Sequence, residues 1–221
     1  MSNRKYSTRL GFGAVASLAL ALAAVPASAA DTFVPLPGGE LVETLSDGTV
    51  VTVRLTGESA NINPSLGSTP VHRNAWVSGS AQVDVAGTGS GAGGLIIPGY
   101  VVGCQVNIAG GGVGGGVEGA SDWEGNASAG VGTSGELSLG PGQARSFYIL
   151  DREKADDFGA EDHKVYNVFS GTSGSVTWSD QTIGLTGCGG YAQARAFVSV
   201  EIVTDRVTSW VTLWGQPFSL G

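Results

Sequence analysis

The chain has 221 residues, and its 19 Asp+Glu against 11 Lys+Arg give a formal net charge of −8 that argues against a nucleic-acid partner. About 190 residues remain beyond an N-terminal export segment, a length that suits one domain with a core of its own. Past that segment no run of about eighteen apolar residues occurs, which excludes a membrane-spanning helix but not membrane strands, whose alternation dilutes hydropathy.

Residues 1–30 read as a signal peptide. Arg4, Lys5 and Arg9 form a basic start, residues 10–25 an apolar centre, and Ala27-Ser28-Ala29 a small-residue cleavage site. Cleavage there removes basic residues only and leaves a mature net charge near −11. Residues 41–56, LVETLSDGTVVTVRLT, are two apolar runs around Ser46-Asp47-Gly48, the pattern of a hairpin. A loop rich in Pro, Asn and Ser is expected to follow through Pro70. Across 75–86, Val77, Ala81, Val83 and Val85 face one way, and Trp76, Ser78, Ser80, Gln82 and Asp84 the other. That predicts a half-buried strand. Residues 87–94 read as a loop, and 95–103 as an apolar stretch leading onward.

Residues 104–135 read CQVNIAGGGVGGGVEGASDWEGNASAGVGTSG, with no Lys, Arg or Pro. Strands so poor in large side chains cannot hold themselves in a globular interior. One reading is a flexible Gly/Ser linker. The other is a long hairpin, because Val106 and Ile108 alternate with Gln105 and Asn107, and Ala127, Ala129, Val131 and Thr133 alternate with Ser128, Gly130, Gly132 and Ser134. Residues 121–126, Ser-Asp-Trp-Glu-Gly-Asn, then form the turn. Arms of about fourteen residues, rising ~3.3 Å each at a tilt near 40°, reach roughly 35 Å, enough to cross a bilayer.

Residues 137–143 contain a Gly-Pro-Gly turn and 145–150 a short strand. Residues 151–164, DREKADDFGAEDHK, are rich in helix formers and read as a short helix or an exposed loop. Short strands are expected at 166–169 and 175–178. Across 191–203, Ala192, Ala194, Ala196, Val198, Val200 and Ile202 share one face, and 206–214 forms a last strand. The fold class is all-β, a β-sandwich with the 104–136 hairpin inserted between its halves.

Cys104 and Cys188 lie in an exported chain, where oxidation is permitted, so a disulfide is favoured over two free thiols. It would close a long loop, worth roughly 4 kcal/mol on the chain-entropy argument. No catalytic residue, cofactor or metal is assigned. Gly110, Gly112 and Gly115 match GxGxxG without the strand and helix that a dinucleotide site needs. Asp157-Phe158-Gly159 lacks the other kinase motifs, His72 and His163 are far apart, and no serine sits in a nucleophile elbow. The acidic run at 151–162 fails the EF-hand pattern because Ala155 stands where an oxygen ligand is required.

The carboxylates Glu118, Asp122 and Glu124 have two readings. They are a solvated hairpin tip, or, with Asp122 and Glu124 counted by twos onto the face of Ser128 and Gly130, they form a ring when several hairpins close a barrel. An acidic ring selects cations. One hairpin cannot close a barrel and open edges are not tolerated in lipid, so two strands per subunit and roughly 16 strands imply about eight copies.

The chain resembles the MspA-like porins of mycolic-acid-bearing actinobacteria. The resemblance is carried by Leu45-Ser46-Asp47-Gly48, Arg73…Trp76…Ser78-Gly79…Ala86-Gly87, Gly99-Tyr100-Val101-Val102-Gly103, Gly140-Pro141-Gly142, Thr186-Gly187…Gly189-Gly190…Ala194-Arg195-Ala196 and Trp214-Gly215-Gln216-Pro217-Phe218. It implies an octamer with a β-sandwich rim (31–103 and 137–221) and a 16-stranded stem built from residues 104–136 of each subunit. It also implies an outer-membrane location and passage of small hydrophilic and cationic solutes through a constriction at Asp122 and Glu124, with Glu118 nearby. Trp123 between the acids, the Gly-rich stem, the cysteine pair and the apparent insertion at 151–169 depart from the family pattern. The partners implied are copies of itself, or a related subunit, and outer-membrane lipid. The competing readings are a secreted β-sandwich binding or cell-wall protein and a secreted pore-forming toxin.

Overall fold

Strands that alternate apolar and polar residues leave one face to be covered, and here two sheets cover each other. The computed structural model describes residues 31–64, 69–87, 92–106, 108, 137–138, 142–155, 157–159 and 161–221, all β and without helix among them. The first sheet has the order β1 (Thr32–Pro35), β3 (Val50–Pro64), β4 (Arg73–Ala86), β11 (Ser173–Thr186) and β6 (Leu137–Ser138), with β2 (Gly39–Thr44) also pairing β3. The second runs β10 (Asn167–Ser170), β5 (Gly93–Cys104), β12 (Ala192–Val203) and β13 (Thr208–Ser219), with β7 (Ala144–Tyr148) also on β5. All pairings in these two sheets are antiparallel except β6 with β11.

Inward side chains of both sheets form one core. Val53 and Leu55 of β3, Val77 and Val83 of β4, Ile96 and Tyr100 of β5, and Val200 and Ile202 of β12 are all fully buried. Each such aliphatic side chain contributes about 1.5–3 kcal/mol relative to exposure. The expected turn at 46–48 joins β2 to β3, and Gly48 takes a φ of 85° there. Asp47 caps it, accepting Thr49 N–H at 3.0 Å on one oxygen and the Thr204 hydroxyl at 2.9 Å on the other. Those bonds, led by the one from Thr49, hold the Asp47 carboxyl below its ordinary pKa.

Pro98 lies inside β5, an unusual position for a residue without an N–H. Its carbonyl accepts Ile149 N–H at 3.1 Å, so the missing donor faces the same side, where β10 ends at Ile96 and β7 begins at Gly99. The gap between those two neighbours spares the ladder.

Three β-bulges interrupt the alternation. Between Thr56 and Ser59 one extra residue enters β3, Gly57 adopts φ 61°, and the inward set changes from Val51, Val53 and Leu55 to Glu58 and Ala60. Between Trp178 and Gln181 a bulge in β11, with Asp180 at φ 52°, changes the inward set from Val176 and Trp178 to Ile183 and Leu185. In β13 Gly215 and Gln216, between Trp214 and Pro217, stand opposite the single residue Ala196 of β12, and the inward set moves from Leu213 and Gly215 to Phe218.

Several expectations need correction. Residues 151–164 are neither helix nor loop but a two-stranded hairpin, β8 (Arg152–Ala155) with β9 (Glu161–Lys164). Gly159, at φ 82°, supplies the left-handed turn residue that a helix would not tolerate cheaply. The expected loop after Thr56 is strand as far as Pro64, since pairing with β4 outweighs the low strand preference of Asn61 and Asn63. β11 and β13 outrun their expected ends at 178 and 214 because bulges carry them past the break in period. β1 was not expected; its register with Ile62 through Ser59 supplies what its short sequence does not signal.

Candidate functional site

The inserted segment leaves the second sheet at Cys104, the last residue of β5, and the chain joins the first sheet at Leu137 in β6. Backbone bonds tie both ends to one corner. Cys104 N–H donates to Gln143 O at 3.3 Å and its carbonyl accepts from Gly142 N–H at 3.1 Å, with Gly142 at φ 69°. Gln105 N–H reaches Tyr191 O at 2.9 Å and Ile108 N–H reaches Gly187 O at 2.7 Å. β6 lies against Leu185 and Thr186. The corner at residues 185–191 therefore receives the departing and the returning chain.

A disulfide between Cys104 and Cys188, 84 residues apart in sequence, closes this corner, and both cysteines are buried. The glycines beside Cys188 are fitted to the departing chain: a Cβ on Gly189 would stand 3.2 Å from Ile108 Cγ2, and one on Gly190 3.2 Å from Gln105 Cβ. Val106 and Ile108 are 43% and 54% exposed, so the departing chain presents apolar surface at the corner.

Next to the root, Gly103, Gln105, Tyr191, Arg195 and Trp214 line part of an open cleft of about 770 Å³. Arg195 spans it, donating Nε–H to Gly215 O at 2.9 Å and laying its guanidinium 5.2 Å from the Trp214 ring centroid. On the outer face of the first sheet Arg54 bridges Glu40 and Asp84, and these two hydrogen-bonded carboxylates, Glu40 first, raise its pKa. At the β8–β9 hairpin, His163 Nδ1 is 2.8 Å from Asp151 Oδ1 and 3.9 Å from Glu153 Oε1. The potential ligand atoms of these three lie within 4.8 Å of one another in a surface ion-pair cluster.

Of the residues singled out in the sequence, the structure brings Cys104 and Cys188 together. Asp122, Glu124, Glu118 and Trp123 lie outside the described residues, as do residues 1–30 and nearly all of 104–136. Sequence reasoning missed Glu58, a carboxylate in the core. The available signal was a Gly-Glu pair at the point where the odd-numbered apolar set of β3 ends.

The sequence profile of the MspA family matches residues 47–219. The chain belongs to the MspA family. The match begins in the β2–β3 turn and ends at the last residue of β13, so the MspA region takes in every strand but β1 and β2, together with the inserted segment. MspA-family proteins are oligomeric porins of the outer membrane. No curated protein sequence matches the chain.

Several of the MspA-like residues quoted above lie at a turn, at a bulge or in the core. Asp47 and Gly48 make the β2–β3 turn, Gly79 lies opposite the β11 bulge, Tyr100 lies in the core, and Gly215 sits in the β13 bulge.

Proposed function

We propose that this chain is the subunit of a general-diffusion porin, a water-filled, cation-preferring channel for small hydrophilic solutes across a mycolic-acid outer membrane. The mature subunit begins after residue 30. Residues 31–103 and 137–221 are its rim, and residues 104–136 its membrane stem. Eight copies, of this chain alone or with a related subunit, contribute two strands each to a 16-stranded barrel. The observation that carries this reading is the family match across 47–219, which includes the inserted segment. Its alternation and its tethering of both ends at one corner agree with a hairpin projected from the body.

Asp122 and Glu124, with Glu118 close by and Trp123 between the acids, form the constriction, where a ring of carboxylates lowers the energy of a passing cation and raises that of an anion. In planar bilayers the purified mature protein gives stepwise conductance with cation preference, and the double change Asp122→Asn, Glu124→Gln weakens that preference severalfold. Unchanged selectivity moves the constriction elsewhere. A protein that stays monomeric in detergent and carries no current is a secreted binding protein instead.

A further inference from the structure

The core contains a carboxylate that no cation or hydrogen bond accounts for. Glu58 is 2% exposed, and neither of its oxygens has a hydrogen-bond partner. In the same core the Tyr100 hydroxyl and the Trp178 indole nitrogen are also buried, and beyond their approach to each other neither has a hydrogen-bond partner of ordinary geometry. A buried carboxylate in this condition is expensive, whereas the neutral acid is far less so.

The bulges bring this about. Without the extra residue at Gly57, position 58 would face outward with Thr52 and Arg54; with it, Glu58 enters between the sheets. The β11 bulge lies opposite the same part of β4, next to Gly79, where a Cβ would stand 2.7 Å from Trp178 Cζ2. From the other sheet Gly215 leaves room for the carboxyl, since a Cβ there would stand 2.8 Å from Glu58 Oε2. Two bulged strands, β3 and β13, thus meet at one acid, with the β11 bulge across β4 from it.

We propose that Glu58 is a proton-binding site between the two sheets, held as the neutral carboxylic acid in the folded subunit, and that its ionisation loosens the seam. The inference rests on the fold of the two-sheet body and is independent of the channel reading. Around Glu58, Gly215 of β13 stands against its carboxylate oxygens with Ala196 of β12 beside that glycine, and Tyr100 of β5 feels its charge with Trp178 of β11 next to the tyrosine. Tyr100 is the titratable one among them, and burial, then the Glu58 charge, raises its pKa further above neutrality. Arg195 alternates to the outer face of β12, against Trp214, and gives Glu58 no counter-charge.

Burial pushes the Glu58 carboxyl up from 4.5 to about 7. The sign of its effect on stability follows. Below about pH 4.5 folded and unfolded chains both hold the proton and the seam is at full strength. As pH rises from there to about 7 the unfolded chain releases the proton first, so stability falls, and above about 7 the loss is complete.

The test is infrared titration of the full mature protein, with melting followed in parallel. The wild type shows a neutral-carboxyl carbonyl band at about pH 6 that fades by about pH 8.5, and Glu58→Gln lacks it at both. Wild-type melting temperature falls by roughly 3–6 °C over that range beyond the fall seen in Glu58→Gln. A wild-type spectrum without the band at about pH 6 overturns the proposal, as does an equal fall in both proteins. Should the glutamine variant not fold, the wild-type band decides, because an ionised Glu58 gives none.

Discussion

Strands β4 and β12 and the trio β3, β11 and β13 solve one problem in two ways. β4 and β12 keep period two from end to end on their inner faces, so Ala75 through Val85 and Ala192 through Ile202 supply an uninterrupted apolar surface. Each strand of the trio carries a bulge, and beyond it the opposite residue parity faces inward. The regular strands build the core and the interrupted ones decide what polar groups enter it. Alternation in a half-buried strand is therefore a statement about phase as well as hydrophobicity, and one extra residue transfers every later side chain to the other face.

Substitutions can break this contrast, and the regular strands give the largest effect. Ile202→Ala in β12 removes a fully buried side chain from a continuous face and costs about 2–5 kcal/mol in denaturant unfolding. That cost is the same at about pH 6 and pH 8.5, since no titratable group is touched. A pH-dependent cost would make the regular face part of the acid's environment.

Gly215→Ala in β13 comes next. Its Cβ meets both Glu58 Oε2, at 2.8 Å, and the Ala196 Cβ, at 3.0 Å, so overpacking costs about 1–3 kcal/mol. Combined with Glu58→Ala the penalty shrinks, and a double-mutant cycle reads a coupling of about 1 kcal/mol. Strict additivity would mean that Ala196, and not Glu58, sets the clash.

Gly57→Ala gives the smallest effect of the three, roughly 1 kcal/mol. Nothing lies within 4 Å of the new methyl, so the cost comes from φ 61° alone and is read from the unfolding midpoint. A loss several times larger would mean that the bulge itself had rearranged.

The same contrast explains what could be read from the sequence. The β4 and β12 faces were legible residue by residue, and the β2–β3 turn followed from Ser46-Asp47-Gly48. The reach of β3, β11 and β13 was not, because a search for one continuous period stops at a bulge. The β8–β9 hairpin was misread as helix or loop because its Glu, Lys and Ala residues favour helix, while pairing and the turn at Gly159 decide otherwise. Two cysteines in an exported chain pointed to the bond between Cys104 and Cys188. Glu58 was missed for the reason that makes it interesting: its inward direction comes from Gly57, a residue with no side chain to show in a pattern. Asp122 and Glu124, expected from their spacing, lie outside the described residues.

The disulfide at the root has a mechanical consequence. Any pull on the chain beyond Cys104 reaches β5 at its last residue, where Cys104 is paired with Ala192 of β12. Without a crosslink, tension there would open the ladder one hydrogen bond at a time, as a zipper opens from its end. The bond to Cys188 sends that load covalently into the segment following β11, so the zipper cannot start from this end while the sulfurs remain joined.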